Sequence, residues 1–197
     1  MKNEIKQNEL IAAMKFVQPA MPKRNDVRYF LNGVCIDAEK GLTTLVATNG
    51  HMVSVIEIDA TLPKGQYIVP RDLVNQFLRI FKSNKQTASL SISITVSTLQ
   101  ITFSNGETTL GGKLIDGNYP DWRKVFDEKI KHKKHYKDQV GIQTQYLKAV
   151  GDMGKAINDM GVRLKVVDPN EAMRFDFDPV GFIELRNPRA LIMPMKI

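Results

Sequence analysis

Apolar and polar positions along the chain set out one order of elements three times: a strand, a helix, then a run of strands. In the first unit, Asn8 to Val17 has helical spacing, with Asn8 placed to cap its start and a strand at Glu4 to Gln7 before it. Strand-like runs follow at Val27 to Val34, Thr43 to Ala47 and Met52 to Ile58. The second unit opens on a short strand at Gln66 to Pro70. Its helix, Arg71 to Phe81, carries Leu73, Val74, Phe77, Leu78 and Phe81 as one apolar stripe. Alternating runs at Ser89 to Val96, Leu99 to Phe103 and Thr108 to Ile115 complete it, with Asn105-Gly106 as a hairpin turn. The third unit has a lead strand at Gln139 to Ile142 and a helix from Thr144 to Ile157, with Leu147, Val150, Met153 and Ile157 on its apolar face. Its strands are expected at Val162 to Val167, Ala172 to Phe177, Gly181 to Leu185 and Ala190 to Met195. Turns are expected at Asp168-Pro169-Asn170 and Asn187-Pro188. Repetition of one mixed unit predicts an α+β fold built from three strand-helix-three-strand units.

Composition narrows the function classes. Hydrophobic residues make up 43% of 197, enough for a packed core. No apolar run reaches the length that spans a bilayer, and Met1 to Lys6 has no signal-peptide character, so the expectation is a cytoplasmic protein without membrane partners. The single Cys35, set among apolar neighbours, excludes an internal disulfide and reads as a buried structural thiol. A net charge of +7 fits a polyanion partner or a basic solvated surface. Between the second and third units, Glu128 to Lys137 holds five lysines without periodicity. It reads either as a solvated linker or as a DNA-contacting strap. The cations around His132 and His135 argue against a metal pair, and neither a metal nor another cofactor is expected.

Three separated segments carry a more specific signal: Thr48-Asn49-Gly50-His51-Met52 after a strand, Leu114 to Val125 with its Asp116-Gly117-Asn118-Tyr119-Pro120-Asp121-Trp122 core, and the apolar, Met-rich Leu191 to Ile197. Together these segments resemble the bacterial DNA polymerase III beta sliding clamp family. Residues 1–127 resemble that family's middle domain along their whole length. Residues 139–197 resemble the second half of its last domain, joined by the basic linker 128–138. The resemblance implies the DNA-clamp fold, as one full clamp domain plus a half domain. Two departures stand out: Asn49 where the family has aspartate, and Met52 where it usually has arginine.

The resemblance further implies a pocket for linear peptide motifs of a DNA polymerase and a clamp loader. Residue by residue, it would comprise Leu31, Thr48, Gly50, His51, Val53, Pro120, Val125, Gln143, Tyr146, Leu191, Ile192, Met193, Pro194 and Met195. Flexible methionines suit varied apolar guests. Nonspecific contact with duplex DNA is implied for helix cations Lys15, Arg71, Arg79, Lys82, Lys148 and Lys155, with Lys23 and Arg24 in a loop. A processivity factor that encircles DNA would need a homo-oligomer; chains of three units match the family's ring as a tetramer. The alternative is a clamp mimic that forms no ring and binds the same motifs as a decoy or adaptor. No phosphate-cradling loop, nucleophile elbow or acid-base pair marks the chain as an enzyme.

Overall fold

The computed structural model describes residues 3–39, 41–84, 86–87, 89–127, 140–166, 172–182 and 184–195. β1 (Glu4–Lys6) leads into α1 (Gln7–Val17), then β2 (Gly33–Glu39), β3 (Leu42–Thr48) and β4 (Met52–Ile58). β5 (Gly65–Pro70) leads into α2 (Arg71–Ile80), then β6 (Ser91–Val96), β7 (Gln100–Ser104) and β8 (Thr109–Lys113). A short α3 (Trp122–Asp127) ends this half, and α4 (Thr144–Ala156), β9 (Arg163–Lys165), β10 (Met173–Asp176) and β11 (Leu185–Ile192) form the third unit.

The first two units exchange their lead strands: β1 pairs with β6 and β5 pairs with β2, both antiparallel. Gly33 permits the second of these pairings, because a Cβ there would stand 2.1 Å from the Val69 carbonyl oxygen. The third unit joins through β11, which pairs antiparallel with β4 from Ile192 opposite Met52 to Leu185 opposite Ile58. The result is a four-stranded sheet, β1-β6-β7-β8, and a seven-stranded sheet, β5-β2-β3-β4-β11-β10-β9.

α1 fills the centre because its sequence is apolar nearly all round. Leu10, Ala13, Met14, Phe16 and Val17 are fully buried, against the sheet and between α2 and α4. Two buried polar residues at its start fasten the other units to it. Gln7 donates to the Lys82 carbonyl at 2.8 Å and accepts from Asn105 Nδ2 at 2.9 Å. Glu9 accepts from the Glu184 backbone N–H at 2.6 Å. Phe16 meets Phe177 edge-on at 5.1 Å, tying α1 to the third unit.

Several sequence expectations shift by identifiable causes. Asn8 does not cap α1. The helix starts at Gln7, and the Lys6 N–H is taken by the Glu184 carboxylate at 3.1 Å. Of the strand expected at Val27 to Val34, only Gly33 and Val34 are strand, as the start of β2; over 26–32 the Asn32 amide exchanges hydrogen bonds with the Asp26 backbone at 2.8 and 2.9 Å, pinching off a loop that exposes Val27. The two final strands merge into β11, and Asn187-Pro188 is a bulge within it, with Asn187 at φ 49°. The lead strand of the third unit shrinks to one bridge, Gly141 to Met195. The turn at 168–170 and the basic segment 128–138 lie outside the described residues.

On α4, Val150, Met153 and Ile157 are buried, and α1 supplies the helix it packs on; Leu147 stays half exposed. The third unit is therefore completed on this side by the first, and the two should unfold together. Met153→Ala should cost about 2–5 kcal/mol and shift one denaturant transition. A separate low-stability transition would show that the third unit folds on its own.

Candidate functional site

The β3–β4 turn is built by its polar side chains. Asn49 Oδ1 accepts the backbone N–H groups of His51 and Met52, each at 2.9 Å, and Thr48 Oγ1 donates to the Met52 carbonyl at 2.8 Å. Gly50 takes φ +87°, which a side chain would strain. Arg28 lies over this glycine, and a Cβ there would meet its guanidinium at 2.8 Å. Two hydrogen bonds to the Asp26 carboxylate fix Arg28, and its guanidinium holds that carboxyl well below the usual range. Asn49 thus shapes the turn from within.

The face of the large sheet away from the helices carries a second, smaller core. Cys35, Val46, Val53, Val55, Ile68 and Leu191 form its floor, and Leu31, Tyr119 and Trp122 cover part of it. The cover is pinned by one buried carboxylate on β2: Asp37 Oδ2 accepts from Trp122 Nε1 at 2.8 Å and from the Arg123 guanidinium at 2.6 Å. Arg123 also stacks on the Trp122 ring at 4.5 Å and reaches Glu39 at 3.4 Å. Burial pushes the Cys35 thiol up, with the Asp37 charge adding to it, and burial likewise pushes up the Tyr119 phenol.

Beside this cover the floor opens into a cavity of about 270 Å³. Of the residues expected from the sequence, Leu31, Thr48, Gly50, His51, Val53, Pro120, Val125, Leu191 and Met193 line it. Reading the sequence missed Arg28, Asp121, Trp122 and Ala172 as lining residues; Met52, one of the two departures from the family, lines it as well. Trp122 sits inside the quoted 114–125 motif, so position in the motif was the available signal. Arg28 gave none. Val125 and Met193 are about half exposed at the rim, while Val53 and Leu191 are buried below. Met193 is fixed in place by its N–H, which donates to the His51 carbonyl at 2.9 Å.

The remaining expected residues stand elsewhere. Tyr146, with His51 and Arg28, lines a broader and more polar cleft of about 640 Å³; His51 and Arg28 also line the apolar cavity, so the two are neighbours there. Gln143 opens α4 and accepts a hydrogen bond from Gln145 at 2.6 Å. Pro194 is half-buried, and Met195 is half exposed with its N–H bound to Gly141. Ile192 is fully buried in the main core, where its role is structural. The whole arrangement is greasy at one end and polar at the other, with preformed walls, as a site for a short amphipathic segment requires.

Among the expected DNA-contacting cations, Lys15 on α1 and Lys155 on α4 are exposed and line one groove between these helices. Lys23 and Lys148 line the broad cleft, where Lys148 pairs with Asp152 and Lys23 donates to Gln145 at 3.3 Å. Arg24, Arg79 and Lys82 are exposed. Arg71 is spent on structure: it donates to the Arg24 carbonyl at 3.0 Å and to Asn32 at 3.1 Å, holding the 24–32 loop. Among the described residues, no group of acidic, histidine or cysteine side chains is placed to hold a metal ion, and no helix is long and apolar enough to cross a membrane.

Asp37→Ala removes the acceptor for two donors at once and should cost about 1–3 kcal/mol. It should also move the Trp122 emission toward that of a solvated indole. In the native protein Cys35 should resist thiol reagents and react only on unfolding; prompt labelling would contradict its burial.

The comparisons with known proteins agree with this geometry. Residues 4–121 match the family model described as DNA polymerase III beta subunit, central domain. The beta sliding clamp of Haemophilus influenzae is 36% identical over 124 residues, covering 62% of this chain and 32% of that protein. The beta sliding clamp of Pseudomonas aeruginosa is 32% identical over 105 residues, covering 52% and 28%. The chain thus spans about a third of the length of these relatives. Among solved structures, the Pseudomonas aeruginosa sliding clamp aligns over 98% of this chain and 65% of its own, with a TM-score of 0.72 at 21% identity. The Thermotoga maritima DNA polymerase III beta subunit aligns over the same shares with a TM-score of 0.74 at 14% identity. These likenesses show the clamp fold across the third unit as well as the first two. The chain belongs to the DNA polymerase III beta subunit family.

Proposed function

We propose that the chain serves DNA replication as a sliding-clamp-like factor: the apolar cavity captures short linear segments of a polymerase and a clamp loader, and an oligomer of the chain surrounds duplex DNA. The observation that supports peptide capture is the cavity itself. The first unit gives Val53, Gly50 and His51, the exit segment gives Pro120, Trp122 and Val125, and the third unit gives Leu191 and Met193. The cavity has room for a pair of large apolar side chains, and the adjoining polar cleft suits the flanking backbone and polar residues.

DNA contact is supported by Lys15 and Lys155 facing one groove, with further exposed cations on and after α2. Such contacts neutralise phosphates without reading bases and weaken steeply with salt. Encirclement requires more than one copy. The basic net charge of +7 favours a polyanion at the centre of that assembly.

In calorimetric titration, a short peptide with leucine and phenylalanine anchors should bind the wild-type chain, and the double change Met193→Ala with Met195→Ala should weaken it at least tenfold, about 1.4 kcal/mol. Undiminished binding would remove the cavity from the proposal. Lys15→Glu with Lys155→Glu should lower affinity for circular duplex DNA and flatten its salt dependence while leaving the peptide isotherm unchanged. If DNA binding persists with the same salt slope, the groove between α1 and α4 is not the contact surface. Peptide binding without retention on circular DNA would favour the adaptor that forms no ring.

A further inference from the structure

Peroxides convert methionine from an apolar side chain into a strongly polar one, and the methionines of this chain are unevenly placed. Met14, Met21, Met52, Met153 and Met173 are buried. Met160, Met193 and Met195 are exposed, Met160 completely and the other two at 47%. Of these three, Met193 alone lines the apolar cavity.

The backbone under Met193 is fixed on both sides. Its own N–H donates to the His51 carbonyl, and Ile192 before it is buried in the main core opposite Met52. The Met193 side chain is thus shared between the cavity wall and solvent. An oxygen added to its sulfur is hydrated while the cavity is empty. An apolar guest strips that water, and the neighbouring Leu31, Val53, Pro120, Val125 and Leu191 have no side-chain donor to replace it. Several polar neighbours are already engaged. The Thr48 hydroxyl donates to the Met52 carbonyl, the Trp122 indole to Asp37, and Arg28 Nε and Nη2 to Asp26.

We propose that Met193 is an oxidation site through which hydrogen peroxide closes the cavity to its peptide guest. The sulfur lone pair attacks one peroxide oxygen, the O–O bond breaks and an S–O bond forms. The second oxygen leaves as water with both peroxide hydrogens. Sulfur gives up two electrons and the peroxide takes them, so the step needs no further reactant. The inference rests on the reading of the cavity as a peptide site and adds a means of regulating it. Guest and oxidant compete for one side chain: a seated peptide covers the rim and shields Met193. Met160 lines neither the cavity nor the cleft and stays reactive. Cys35, fully buried, offers the oxidant no competing thiol.

The test treats the full chain with hydrogen peroxide at doses that leave its far-ultraviolet dichroism unchanged, and assigns each sulfoxide by mass spectrometry of its peptides. Met160, Met193 and Met195 should oxidise before the buried methionines. Affinity for the leucine- and phenylalanine-bearing peptide should fall roughly tenfold or more in step with the Met193 sulfoxide. Peptide present during treatment should slow oxidation at Met193 and not at Met160. Met193→Leu has no sulfur at this position, so whatever its starting affinity, peroxide should not change it. Met160→Leu with Met195→Leu should still show the full fall. An equal fall in Met193→Leu would overturn the inference. So would a Met193 that reacts no faster than the buried methionines, or undiminished affinity once Met193 is oxidised. Each of these leaves peptide capture standing. If Met193→Leu binds too weakly to titrate, the shielding of Met193 by peptide decides. An unoxidised chain that binds no peptide would remove peptide capture and this inference together.

Discussion

The antiparallel pairing of β4 with β11 is the constraint on which the rest depends. It makes one sheet of the first and third units, sets α4 against α1, and brings Leu191 and Met193 alongside Val53 and His51. Without that register the cavity would have only two of its three walls. A slip of one residue would turn Leu191 into the main core and Ile192 outward, because alternate residues of a strand face opposite sides. The buried contact of Glu9 with the Glu184 N–H guards the same joint from the helix side, and that of Gln7 fastens the second unit to the first. Each would leave an unsatisfied buried group if the units parted.

The cavity's remaining wall depends on one carboxylate. Asp37 reaches from β2 to hold Trp122 and Arg123, residues far along the chain, and so fixes the short helix that carries Val125. A charge-assisted pair anchored on a buried carboxylate is stiff, and a stiff wall offers a guest a pocket already formed. Flexibility is left to the rim, where Met193 and Val125 are half exposed.

Much of this was legible in the sequence, and the failures share a cause. The α2 stripe of Leu73, Val74, Phe77 and Phe81 was readable because helix burial is periodic and local; the Asn105-Gly106 hairpin was readable because Gly106 supplies its positive φ. The loop at 26–32 was misread as strand because its shape comes from Asn32 closing on Asp26, which apolar periodicity does not register. Asn187-Pro188 carries turn chemistry yet sits in a bulge, since pairing with β4 on both sides holds the strand together. In the cavity, Gly50, His51 and Met193 were found through the family's motifs. Arg28 and the role of Asp37 were not, because both depend on contacts across the fold. Ile192 was expected in the pocket from the family resemblance, and strand alternation sends it to the other face.

Trp122 is the chain's single tryptophan and lines the cavity, so its fluorescence reports on that site alone. The most direct measurement is its emission during titration with the leucine- and phenylalanine-bearing peptide. A saturable change is expected, which a scrambled-charge peptide without apolar anchors does not produce. An emission that stays flat while calorimetry registers binding would place the peptide elsewhere and contradict the assignment of this cavity.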